Sequence, residues 1–176
     1  MKKIVKLGMI LAVFCVISAG CLAVVYLFTQ PRIELNSKSA FINSLREVLP
    51  DANSFKELRC GEGKVYAGMK GKERVGAAVL VEQRGYGGAI SILVGIDLTG
   101  TIKGMKILNH RETPGLGAGI SAPGFLKQFM GKTLKDPIEP KNDIEAITGA
   151  TISSRAVCVG AKKALKDAET CARENK

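Results

Sequence analysis

Metal-binding side chains are scarce in this sequence. Its 176 residues include one histidine, His110, and the five cysteines contain no Cys-x-x-Cys pair. A histidine-based metal site, a structural zinc and an iron–sulfur cluster are therefore all disfavoured. No Gly-x-Ser-x-Gly turn is present, and only His110 could serve a nucleophile as base, so a triad hydrolase has little support. The sequence also lacks internal repeats and low-complexity tracts. Aromatic residues make up 5%, and Lys and Arg are scattered among Asp and Glu rather than clustered with aromatics. The net charge of +10 thus does not read as a nucleic-acid surface. Anionic lipid headgroups, an acidic partner or plain solvation of the surface account for it.

Charge is missing altogether from Leu7 to Phe28. At about 1.5 Å per residue this apolar run can cross roughly 30 Å of hydrocarbon. A cleaved signal peptide also begins with positive charge and an apolar core, but its core is shorter, and no clear Ala-x-Ala site closes this one. A lipoprotein reading would acylate Cys21 of Ser18-Ala19-Gly20-Cys21, yet Leu22 to Phe28 stays apolar where a mature lipoprotein turns polar. A retained single-span anchor is the expectation, giving an N-terminal tail at 1–6, a transmembrane helix at 7–28 and a domain at 29–176. Lys2, Lys3 and Lys6 outweigh Arg32 and Lys38 beyond the span, so the positive-inside bias puts the N-terminus in the cytoplasm. In a bacterial cell membrane the domain is then extracytoplasmic.

Pro31 is expected to break the span from the next segment. Apolar residues at 41, 42, 45, 48 and 49 predict one face of a helix over Ser39–Leu49, ended by Pro50. Strands are predicted at Val65–Ala67, Gly76–Glu82, Ala89–Ile96 and Thr101–Asn109, with turns at Gly85–Gly88 and Asp97–Gly100. A short helix is expected at Phe125–Phe129, and a long one from about Ile152–Ser154 to about Thr170. Helices flanking an antiparallel meander give an α+β fold. Cys158 and Cys171 on one helix are about 20 Å apart, too far for a disulfide; Cys60 pairs with either only if the fold brings it near.

Two segments can carry chemistry. Glu112-Thr113-Pro114-Gly115-Leu116-Gly117 follows the last strand, and its glycines allow close backbone approach to a flat ligand, with Glu112 and Thr113 as polar contacts. Taken by itself it is also an ordinary turn. Thr148-Gly149-Ala150-Thr151, followed by Ile152-Ser153-Ser154, combines small residues, hydroxyls and a helix start whose free N–H groups suit an anion. The same residues would serve as a plain N-cap. A Ser–Lys hydrolase using Ser153 or Ser154 with Lys162 or Lys163 is compatible with the sequence but unsupported by it.

Together, Glu112 to Gly117 and Ala146-Ile147-Thr148-Gly149-Ala150-Thr151-Ile152-Ser153-Ser154 resemble the paired signatures of the FMN-binding domain found in the G subunit of the Rnf electron-transport complex and the C subunit of the sodium-pumping NADH:quinone oxidoreductase. The resemblance implies FMN joined by a phosphoester to Thr151, installed by a separate flavin transferase. It implies Glu112, Thr113, Gly115, Leu116, Gly117, Thr148, Gly149, Ala150, Ser153 and Ser154 as the surrounding cofactor site. Transferase recognition would fall on Glu145, Thr148, Gly149, Ala150 and Thr151; the family pattern has aspartate where this chain has Glu145, with Asp143 two residues earlier. The short passage from anchor to domain is more like the Rnf G subunit. The implied role is electron relay, without turnover of its own, within a membrane complex linking ferredoxin and NAD to ion transport. A C-subunit-like relay, or an anchored module that only binds a partner, is the alternative.

Overall fold

The computed structural model describes residues 2–58, 60 and 63–174; the ends of the expected tail and domain, Met1, Asn175 and Lys176, lie outside them. The chain forms two compact units, residues 1–42 and 43–176.

The first unit is helical. Helix α1, Lys2–Val48, runs through it and contributes its last turns to the second unit. The backbone stays helical at Pro31, against the expected break. Proline removes one i→i−4 hydrogen bond and crowds the preceding turn, which kinks a long helix without necessarily ending it. Leu7, Leu11, Phe14, Val16, Leu22, Leu27 and Phe28 are each more than half exposed. Apolar side chains pointing outward all round are what a helix in lipid presents.

The second unit is built on a five-stranded antiparallel sheet in the order β1-β2-β3-β4-β5: Ser54–Leu58, Lys64–Lys70, Glu73–Arg84, Ala89–Asp97 and Ile102–Asn109. The expected meander is present, extended by β1. Ser-Phe-Lys-Glu-Leu carries no β-branched residue and little alternation, so this edge strand is held by its ladder to β2 rather than by its own propensity. A 3-10 turn at Gly117–Ser121, helix α2 at Pro123–Lys127 and helix α3 at Thr151–Glu174 complete the domain.

One face of the sheet carries the main core. Val65, Val79, Val81, Ile92, Val94 and Ile96 project toward the buried stripe of α3 formed by Ala156, Val157, Ala161, Ala164 and Leu165. Phe125 and Phe129 meet edge to face at 5.4 Å and 73° beside it. The opposite face is paved with glycine. Gly68 pairs with Gly76 and Gly95 with Gly104; a Cβ at Gly68, Gly95 or Gly104 would strike Leu49 or Val48, as close as 2.0 Å from the Val48 carbonyl oxygen at Gly95, and one at Gly76 would meet the Ile96 carbonyl oxygen at 2.4 Å and Leu49 at 3.1 Å. The end of α1 therefore lies against the sheet backbone, burying Leu45, Val48 and Leu49, and Glu47 pairs with Lys106 of β5.

Cys60, between β1 and β2, forms a disulfide with Cys171 near the end of α3, Cα–Cα 5.3 Å. Cys158 is free and buried; removal from water pushes its thiol up to about 12.

Candidate functional site

The two chemistry-bearing segments, well separated in sequence, meet at the start of α3. Ala150 N–H donates to the Ile147 carbonyl at 2.9 Å, closing a turn in which Gly149 has φ +77°, and Thr151 begins the helix. Ser154 fastens this turn from beneath. Its hydroxyl donates to the Ala150 carbonyl at 3.0 Å and accepts from Ile147 N–H at 3.1 Å, and it is fully buried. The first N–H groups of a helix have no intrahelical acceptor, so α3 opens toward solvent with donors and the positive end of its dipole.

The Glu112 loop forms the opposite wall. The Thr113 carbonyl accepts from Leu116 N–H at 3.2 Å and Ala118 N–H at 3.1 Å, with Gly115 at the tip. Between the walls lies an open groove of about 520 Å³, within the usual size range of small-molecule sites. Its lining includes Glu112, Thr113, Leu116, Gly117, Gly149, Ala150, Thr151 and Ser153 from the predicted set. Gly115 sits on the turn, Thr148 is exposed and Ser154 lies below, none of them lining the groove. Glu145 is also exposed outside it, its backbone clasped by Gln128, which accepts from Glu145 N–H at 2.7 Å and donates to its carbonyl at 3.3 Å.

Tyr86 and Ile152 complete the lining and were not among the expected residues. Tyr86 is 72% exposed in the turn between β3 and β4. An aromatic framed by Gly85, Gly87 and Gly88 was a usable signal, but distance in sequence hid its partner. The residues present suit a flavin nucleotide: an aromatic face, apolar Leu116 and Ile152, helix N–H donors for phosphate and an exposed threonine hydroxyl. Among the described residues no group of three or more His, Cys, Asp or Glu could hold a metal.

Two family models match. The FMN-binding domain covers residues 85–166, which enclose every residue lining the groove, and the RnfG N-terminal region covers residues 1–48. The chain is 37% identical to the G subunit of the proton-translocating ferredoxin:NAD(+) oxidoreductase complex of Clostridium ljungdahlii, across 91% of this chain and 89% of that protein. This chain belongs to the Rnf G-subunit family. A further relative is the G subunit of the Na(+)-translocating ferredoxin:NAD(+) oxidoreductase complex of Acetobacterium woodii, 33% identical across 94% of this chain and 91% of that protein. Among solved structures, the C subunit of the Na(+)-translocating NADH-quinone reductase from Parabacteroides distasonis matches with 24% identity, TM-score 0.48, over 58% of this chain and 59% of that one. Membership of the Rnf G-subunit family brings with it an FMN-binding domain and a membrane anchor, the latter consistent with a helix long and apolar enough to span.

Proposed function

We propose that this chain is the membrane-anchored flavoprotein subunit of an Rnf-type ion-translocating ferredoxin:NAD oxidoreductase, relaying electrons through FMN held by a phosphoester to Thr151. The observation that carries this reading is the convergence of both signature segments on one groove, with exposed Thr151 as the first residue of α3. FMN, when bound, supplies one- and two-electron redox chemistry. The chain supplies the rest. The opening turn of α3 stabilises a phosphodiester anion by about 0.3–1 kcal/mol, and Tyr86, Leu116 and Ile152 shield the flat face of a ring system from water. Covalent attachment prevents loss of the cofactor from an extracytoplasmic site.

The other readings rest on the same footing. Glu145, six residues before Thr151, offers its exposed carboxylate to a flavin transferase from a backbone that Gln128 holds still. An N-terminus in the cytoplasm and a domain at 29–176 outside it are supported by the lysines before the span and by the Cys60–Cys171 disulfide, a bond favoured in oxidising compartments. The neighbouring subunits of the complex are its electron partners.

Co-expression with a flavin transferase, followed by denaturation, tests the central claim. The expected outcome is retained yellow colour and a mass increase of one FMN moiety, both absent from Thr151→Ala. An unmodified parent chain beside a demonstrably active transferase would falsify the assignment.

A further inference from the structure

Glu112 is the only acidic or basic residue buried in the domain among the described residues, at 5% exposure. No lysine or arginine pairs with it there. Both oxygens instead accept from the protein: Oε2 from the Ser153 hydroxyl at 2.6 Å, Oε1 from Gly87 N–H at 3.1 Å. Its own N–H donates to His110 Nδ1 at 3.2 Å. A buried carboxylate is tolerated when hydrogen bonds replace its hydration, and charge-assisted bonds are the strong ones.

The surrounding glycines are shaped to this carboxylate. A Cβ at Gly85 would lie 2.2 Å from Oε1, and one at Gly117 would lie 2.7 Å from Oε2 and 3.2 Å from Ser153 Oγ. At Gly87 it would lie 2.0 Å from the Arg111 carbonyl oxygen. Three separate stretches of chain thus close around one side chain: the turn bearing Tyr86, the loop bearing Leu116 and the first turn of α3.

We propose that Glu112, besides lining the groove, is a positioning residue: its carboxylate latches the Tyr86 turn to Ser153 and so fixes the groove's aromatic wall relative to Thr151. This rests on the groove being the FMN site. The carboxylate spends its acceptors on Gly87 and Ser153, and the Ser153 hydroxyl spends its proton on Glu112. The polar pair shapes the wall, leaving Thr151 and the helix N–H groups to face the ligand.

Four variants of the full-length chain test the latch: Glu112→Ala, Glu112→Gln, Ser153→Ala and the double alanine. Hydrogen exchange at the Gly87 amide needs no flavin; it should accelerate at least ~tenfold in Glu112→Ala and in Ser153→Ala, since a hydrogen bond to a charged group is lost or loosened. The double variant should exchange no faster than Glu112→Ala, because the two residues act as one unit. In flavinylated protein the visible dichroism of the bound flavin should fall in both alanine variants and be kept by Glu112→Gln, whose amide can donate to Ser153 and accept from Gly87. Should Glu112→Ala fail to fold, Ser153→Ala reads the same pair. Unchanged Gly87 exchange and dichroism in Ser153→Ala overturn the latch, as do additive effects in the double variant. A parent chain that takes no flavin would instead count against the proposed function, while the exchange data still decide the latch.

Discussion

Asp143 organises the loop that leads to Thr151. Its carboxylate accepts from Lys132 Nζ at 2.8 Å, Ile138 N–H at 3.1 Å and Glu139 N–H at 2.8 Å, in a stretch where Ile138 and Lys141 take φ of 44° and 69°. A buried β-branched residue at positive φ costs on the order of 1–3 kcal/mol, which the three bonds offset. Partial burial works to raise the carboxyl, but the Lys132 ammonium and the two amides outweigh it and hold the group below the ordinary carboxylate value. Because folding favours the ionised form, the contribution is present above the unfolded value of about 3.9 and is lost as pH falls through the lower folded value. Asp143→Asn should therefore lower stability by about 1–3 kcal/mol at neutral pH. In denaturant titrations across pH, the gap between parent and variant should shrink in acid; a constant gap would show that the charge is irrelevant. At this scale the sequence was legible where chemistry is local. Thr151 and Ser153 stood out as helix-start hydroxyls, but the hydrogen bond from Ser153 to Glu112 spans 41 residues and leaves no trace in either segment alone.

Periodicity carried most of the elements. Apolar runs bounded by turns marked four strands, and the small-residue stripe of α3 marked the helix that covers them. It could not mark β1, whose order comes from pairing, nor the uninterrupted helix at Pro31, because local preference and the outcome differ there. The glycines of β2 to β5 were likewise visible only as weak strand residues. Their meaning is tertiary: Val48 and Leu49 occupy the space their side chains would fill. Gly95→Ala should cost more than ~2 kcal/mol, since the intruding Cβ meets a backbone carbonyl that cannot rotate away. Chemical denaturation of the full-length protein in detergent measures it, and a stability within error of the parent would mean that α1 does not seat on this stripe.

Across the whole molecule, the Cys60–Cys171 bond joins positions 111 residues apart. Sequence alone could exclude Cys158 with Cys171 on one helix, but not choose Cys60, because the approach of α3 to the β1–β2 connection is set by the packed core. Removing either half should destabilise the domain by about 2–5 kcal/mol. Maleimide labelling of protein unfolded without reductant should modify three thiols, Cys15, Cys21 and Cys158, and leave two protected; five labelled thiols would contradict the disulfide.

Each strand of the meander pairs with its immediate neighbour in sequence, so the sheet needs nothing beyond Asn109 to define its order. The groove is different, for one wall comes from the β3–β4 turn and the Glu112 loop, the other from the opening of α3. A chain interrupted anywhere between Asn109 and Thr151 contains every strand but lacks the α3 wall of the groove. If this groove holds FMN as proposed, a product cut short in that stretch would carry the whole sheet and have nowhere to receive the cofactor.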